Sequence, residues 1–182
     1  MISLPKDFID RIEAGPLGQT SLLTSLDSES PISIRLNPRK KSLQFETEEV
    51  VSWCPDGRYL KERPSFTLDP LFHAGTYYPQ EAGSMYIDAI VRSIELPENP
   101  VLLDLCAAPG GKSTLLASYL DNRGMLISNE IIRSRAYILA ETLTAQLDYS
   151  SRKGSLSVER FATIHKDRSI VGYVSSVNLE YK

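Results

Sequence analysis

Val101–Thr114, VLLDLCAAPGGKST, is an apolar run that empties into a loop of small residues and paired glycines. Val101, Leu102, Leu103 and Leu105 read as a buried strand, because a short continuous apolar run suits a sheet covered on both faces. Pro109, Gly110 and Gly111 break that strand. From Lys112 to Leu120 the apolar residues Leu115, Leu116, Tyr119 and Leu120 recur at helical spacing. Strand, tight glycine turn and helix together form the opening unit of a doubly wound α/β site for a nucleotide or cofactor. Glycines let a ligand approach the backbone, and a helix start leaves N–H groups without intrahelical partners.

Gly111-Lys112-Ser113 imitates the end of a P-loop, but the glycine required five positions before the Gly-Lys pair is replaced by Cys106. The spaced glycines of a dinucleotide fingerprint are also absent. What remains, Cys106-Ala107-Ala108-Pro109-Gly110-Gly111, is too compact for a pyrophosphate but can lie along an amino-acid-like ligand. A second strand, Gly124–Ser128, ends at Asn129-Glu130. An acid about 20 residues beyond the glycine turn is placed to accept hydrogen bonds from ribose hydroxyls. Glu130 fits that place; alternatively it serves the start of the next helix, Ile132–Leu143, where an anion favours the helix dipole.

Upstream, Leu4, Phe8 and Ile12 stack on a short helix that stops at Gly15-Pro16. Leu22, Leu23 and Leu26 suggest a second helix, and the alternation of Ile32, Ile34 and Leu36 a strand. Pro55–Pro79, rich in proline and aromatic residues, reads as an ordered loop over a domain junction. From Gln80 the period turns helical, with Ala82, Met85, Tyr86, Ala89, Ile90 and Ile94 on one face. In the tail, Asp148–Ser155 is polar and linker-like. Ser157–His165 has weak helical patterning, and Val171 to Tyr181 alternates as one long strand or a hairpin.

The motifs resemble those of the RNA cytosine-C5 methyltransferases, a family that includes bacterial 16S ribosomal RNA methyltransferases. DLCAAPGGKST followed by SNEIIRSRA is similar to the S-adenosylmethionine loop and second strand of that family. PISIRLNPRK resembles its Arg-x-Asn element, here Arg35 and Asn37. LFHAGTYYPQEAGSM resembles the segment before the catalytic domain, with His73, Gly75, Tyr77, Tyr78, Gln80 and Glu81 in matching places. LPKDFIDRI looks like the opening helix. The resemblance implies that Cys106, Ala107, Ala108, Pro109, Gly110, Gly111 and Lys112 line S-adenosyl-L-methionine and that Glu130 holds its ribose. It also implies a ribosomal RNA substrate.

The likeness stops after Leu143. The family's chemistry, as the resemblance implies it, needs a cysteine thiolate that adds to C6 of cytosine, a second cysteine that assists product release, and an aspartate in an Asp-Ala-Pro-Cys type motif. The chain has two cysteines, Cys54 and Cys106, and neither lies in such a motif. Cys106 reads as a small buried filler of the cofactor loop, and no residue is assigned a catalytic role. The expected fold is a partial Rossmann-like α/β methyltransferase sheet preceded by a small α+β domain. The expected divisions are an RNA-facing domain with its junction loop at 1–79, the first half of the Rossmann-like domain at 80–143 and an unmatched tail at 144–182. The expected function is that of a truncated methyltransferase, inactive alone; the alternative is a non-catalytic RNA- or cofactor-binding remnant.

At 182 residues and 42% hydrophobic content the chain can bury a core. Its net charge of −3 does not advertise nucleic-acid binding. Basic groups cluster locally at Arg35, at Arg39-Lys40-Lys41, and at Arg133 and Arg135, where a solvated surface is the competing reading. His73 reads as a hydrogen-bonded junction residue, and Tyr77 and Tyr78 as packing groups. A half-sheet leaves an edge strand in need of a partner. No run of 18 apolar residues and no signal peptide appears, and two unframed cysteines fit a reducing cytoplasm.

Overall fold

A computed structural model describes residues 4–16, 21–121, 123–146, 157–162 and 169–176. The chain divides into two compact units, Met1–Pro31 and Ile32–Lys182. The first holds two helices, α1 (Lys6–Ala14) and α2 (Leu22–Leu26). α1 starts just after Pro5, which needs no N–H there, and stops at Gly15. An exposed Lys6–Asp10 pair one turn apart decorates its polar side.

The second unit contains two four-stranded sheets. The first is antiparallel, in the order β2-β3-β1-β4, from β1 (Ile32–Leu36), β2 (Glu49–Val50), β3 (Gly57–Leu60) and β4 (Tyr77–Pro79). β1 is central, and its three middle residues Ser33, Ile34 and Arg35 are all buried. The stretch 55–79 is therefore not a plain loop. It supplies β3 and β4, a single 3-10 turn at Phe66–Leu68 and the short helix α3 (Pro70–His73). Proline and aromatic density concealed these because they are short. Aromatic rings fill the space beneath: Tyr77 packs edge-on against Phe45 at 5.2 Å, with Phe66 and Phe72 each at 6.0 Å.

The second sheet has the order β5-β6-β8-β7. β5 (Val101–Asp104) and β6 (Met125–Glu130) are parallel in register, Val101 opposite Met125 and Asp104 opposite Ser128. The crossover between them is α5 (Gly111–Leu120), and α6 (Arg133–Gln146) follows β6. Before β5, a 3-10 turn at Gly83–Met85 leads into α4 (Tyr86–Arg92). Val91 of α4, Leu116, Ala117 and Leu120 of α5 and Leu126 of β6 form one core cluster. Ala107 and Ala108 join Leu139 and Leu143 of α6 in a second, and Val51, Cys54, Ala82 and Met85 make a third.

Several expectations are corrected. β5 is a sheet edge buried on one side only, with Val101 at 66% and Leu103 at 55% exposure, while Leu102 packs into the core. A continuous apolar run therefore did not signal cover on both faces. The helical face from Gln80 is also rotated: Met85, Asp88 and Val91 are buried, whereas Tyr86, Ile90 and Ile94 are exposed. Ser157–Ala162 is a strand, β7, not a weak helix; it pairs antiparallel with β8 (Ser169–Ser176) as a hairpin. β8 in turn pairs antiparallel with β6 from Met125↔Ser176 to Glu130↔Val171, so the free side of β6 has its partner. The linker reading of Asp148–Ser155 and the alternation beyond Ser176 lie outside the described residues.

Candidate methyl-donor site

The turn after β5 stands at the carboxyl ends of two parallel strands, the usual place for a ligand in an open α/β sheet. Residues 105–110 connect β5 to α5. Ala107 donates its N–H to the carbonyl of Asn129 at 2.9 Å, and the Asn129 amide returns a bond to Leu105 O at 2.9 Å. Arg135, in the first turn of α6, donates to Ala108 O at 2.7 Å. The loop is thus stitched to β6 and α6, and its small residues allow that closeness. Ala107 and Ala108 are buried, Pro109 is exposed, and Cys106 is exposed rather than the buried filler expected.

Gly110 has φ of 119°, a backbone region that side chains rarely enter. A Cβ there would also lie 2.8 Å from Thr142 Cγ2 of α6. Gly111 opens α5 with Tyr78 of β4 and Gln80, just beyond that strand, lying directly against it. The first intrahelical bond runs from Thr114 N to Gly110 O at 2.8 Å, so Gly111, Lys112 and Ser113 present amides with no acceptor inside the helix.

Glu130 ends β6 and is 3% exposed. One carboxylate oxygen accepts from Ile132 N at 2.9 Å, and the other lies 3.5 Å from Arg135 Nη1. The competing reading of Glu130 as a helix-start acid therefore describes its contacts within the chain. A carboxylate accepts about four hydrogen bonds, so acceptor capacity remains beyond these two. Lys112, at the first turn, is exposed.

Sequence reasoning missed several groups in this neighbourhood. Ser128 of β6 donates to Ser113 Oγ at 2.8 Å, and Ser113 donates to Asp104 Oδ2 at 2.7 Å, a chain joining both strand ends to α5. Two buried acceptors, Gln80 Oε1 and Asn129 Oδ1, have no hydrogen-bond partner among the described residues. Asp104, the polar residue that ends an apolar strand, was the one visible signal among these. Serine burial and the cross-sheet approach of Gln80 leave no trace in periodicity.

Other expected residues fall elsewhere. His73, at the exposed end of α3, is hydrogen-bonded as expected, its Nε2 2.9 Å from Thr67 O. Tyr77 and Tyr78 are packing groups, and burial raises the Tyr78 hydroxyl pKa. Cys54 is 1% exposed, and its thiol pKa is raised by burial and then by Asp88. It lines a cavity of about 500 Å³ with Arg35, Asp56, Asp88, Arg92 and Arg123, along the flank of α5 rather than at its start. Among the described residues no cluster could hold a metal ion, and no helix is long and apolar enough to cross a membrane.

Residues 4–82 match the N-terminal domain of 16S rRNA methyltransferase RsmF, and residues 91–153 match 16S rRNA methyltransferase RsmB/F. Along both segments the chain is similar to the RsmB/F methyltransferases. A ribosomal RNA small subunit methyltransferase F from Pectobacterium carotovorum is 31% identical over 156 residues, covering 75% of this chain and 31% of that protein. A tRNA (cytosine(49)-C(5))-methyltransferase from Pyrococcus abyssi is 35% identical over 122 residues, covering 62% of this chain and 38% of that one. A crystal structure of a methyltransferase homolog protein from Pyrococcus horikoshii superposes with a TM-score of 0.66 at 25% identity, over 79% of this chain and 50% of that one. The chain spans about a third of the length of the curated relatives it matches. The methyltransferase fold of that structure is thus shared here by an α/β unit with a partial Rossmann-like sheet, joined to an antiparallel sheet.

The family's methyl donor makes definite demands, and the residues present fit them. The amides of the first turn of α5 suit a carboxylate, the paired glycines give backbone access, and a strand-end acid suits a diol. The unpartnered acceptors Gln80 Oε1 and Asn129 Oδ1 flank this turn and suit the N–H groups of such a ligand.

Proposed function

We propose that this chain binds S-adenosylmethionine and acts in cytosine-C5 methylation of RNA, with small-subunit ribosomal RNA the substrate class favoured by its relatives. One observation carries the reading. The Gly110-Gly111 turn at the start of α5 and the Glu130 carboxylate at the end of β6 stand at adjacent parallel strand ends, tied to one another through Ala107–Asn129 and Arg135.

When bound, the donor supplies an electrophilic methyl group carried on a sulfonium. The chain's residues bind and orient it. Cys106 to Lys112 form the floor, the opening amides of α5 receive its amino-acid portion, and Glu130 accepts from the ribose. Arg135 braces this arrangement by holding Ala108 O at 2.7 Å while facing Glu130.

The residues of this chain do not themselves supply the thiolate that attacks cytosine. The Cys54 thiol is buried with a raised pKa, which disfavours the reactive form. Cys106 belongs to the donor's own loop. The proposal is therefore donor binding without methyl transfer by these residues alone. Calorimetric titration with S-adenosylhomocysteine, beside incubation with radiolabelled S-adenosylmethionine and unmodified ribosomal RNA, tests both halves. Saturable binding with no label in RNA is expected. Transfer of label by this chain overturns the second half, and the absence of binding overturns the first.

A further inference from the structure

Arg35 is a buried cation whose own hydrogen bonds go to neutral oxygens. It sits in the middle of β1, 5% exposed, and burial pulls its pKa down from the free value to about 10. Its Nη1 donates to Gly111 O at 3.0 Å and its Nη2 to Thr114 Oγ1 at 2.5 Å. Thr114 is 2% exposed, and its hydroxyl faces Gly110 O at 2.9 Å, with Gly111 O at 3.1 Å. A guanidinium from one sheet thus grips the first turn of a helix belonging to the other, and a hydroxyl passes that grip to the glycine with the left-handed backbone.

A buried arginine is costly unless its donors are satisfied with good geometry. A role confined to holding β1 in its sheet would not require contact with Gly111 and Thr114. The planar fork instead fixes two points of the turn at once, which a lysine cannot do. Ligand-binding backbones need support of this kind, because small misplacement of a first turn weakens every bond it makes.

We infer that Arg35 and Thr114 form a positioning relay that sets the Gly110-Gly111 turn for the methyl donor, without touching the donor itself. The inference rests on the donor-binding reading given under Proposed function.

The test is a double-mutant cycle on the full 182-residue chain, with S-adenosylhomocysteine affinity measured by calorimetry and the thermal midpoint recorded for each variant. Arg35→Gln and Thr114→Val should each weaken binding by about tenfold or more. The double variant should be no weaker than the worse single variant, because both interrupt one relay. Thr114→Ser keeps the hydroxyl and should bind as the parent chain does, which loss of the methyl packing alone would not predict. Thr114→Val is nearly isosteric, so it decides the matter if Arg35→Gln fails to fold. Parent-like binding by Thr114→Val, or additive losses in the double variant, overturns the relay while leaving the donor-binding reading intact. No binding by the parent chain overturns that reading and the relay with it.

Discussion

Asn37, just beyond the end of β1, donates its side-chain amide to the carbonyl of Gln146, the last residue of α6, across 109 positions of sequence. The same nitrogen also donates to Gly75 O at 2.8 Å, and its oxygen accepts from Arg39 N at 3.0 Å. Lys40 adds a bond to Ala145 O at 2.6 Å, placing a cation where the carbonyls of a helix end gather negative potential. Gln146 answers by donating to Tyr77 O of β4 at 2.9 Å. With Arg35 on the start of α5, the Arg-x-Asn element clamps the antiparallel sheet to both helices that flank the donor loop.

Asn37→Ala should therefore destabilise the chain by about 1–3 kcal/mol, since it leaves buried carbonyls unpaired. Asn37→Asp should be worse, because a carboxylate would face two carbonyl oxygens. Urea unfolding measures this, with a shifted midpoint and an unchanged slope expected; a midpoint equal to the parent's would show that the clamp contributes nothing.

Gly110→Ala meets two obstacles, a positive φ and a Cβ within 2.8 Å of Thr142 Cγ2. The expected cost is about 1–3 kcal/mol of backbone strain, with α5 displaced from α6. Donor affinity should be lost even at temperatures where the variant stays folded by circular dichroism. Retained affinity would place the donor away from this turn.

Asp69 links three elements: it caps α3 through Leu71 N at 2.9 Å and accepts from Tyr77 Oη at 2.7 Å and Gln44 Nε2 at 3.1 Å. These bonds, Tyr77 first, hold its pKa below the ordinary value of 3.8. Stability from Asp69 is thus fully present above that ordinary value and is lost as pH falls through the lower folded one. Asp69→Asn should lower the unfolding midpoint at pH 7 and make little difference once both forms are uncharged. Equal losses at neutral and strongly acid pH would contradict this.

The two thiols should separate cleanly. Cys106 is exposed, while Cys54 is buried with a raised pKa. Alkylation by iodoacetamide at pH 8, followed by mass spectrometry, should mark Cys106 first and Cys54 only on unfolding. S-adenosylhomocysteine should slow the Cys106 reaction. Equal rates, or no protection by the ligand, would count against the loop assignment.

How much of this could be read from residues alone differs by element. VLLDLCAAPGGKST declared a strand, a turn and a helix, because glycine and proline report backbone geometry directly. β6 and α6 were equally plain to within a few residues. What burial would do to β5 was not legible: Val101 and Leu103 look the same in a covered strand and at a half-covered edge. β3, β4 and α3 are each four residues or fewer, too short for any period to emerge. The hairpin of β7 and β8 was half visible, in the alternation after Val171. Arg35 and Asn37 stood out only by resemblance, since their partners Thr114 and Gln146 are far away in sequence. Glu130 kept its two readings, because its contacts within the chain use only part of its acceptor capacity.

The most direct test of the donor site is a backbone amide nuclear magnetic resonance titration of the isotope-labelled chain with S-adenosylhomocysteine. Saturable shifts should concentrate at Ala107–Ser113 and Asn129–Ile132, leaving the amides of Glu49–Val50 and Gly57–Leu60 unmoved. A titration that moves none of these residues, or that maps instead to the cavity beside Cys54 and Asp88, would contradict the account.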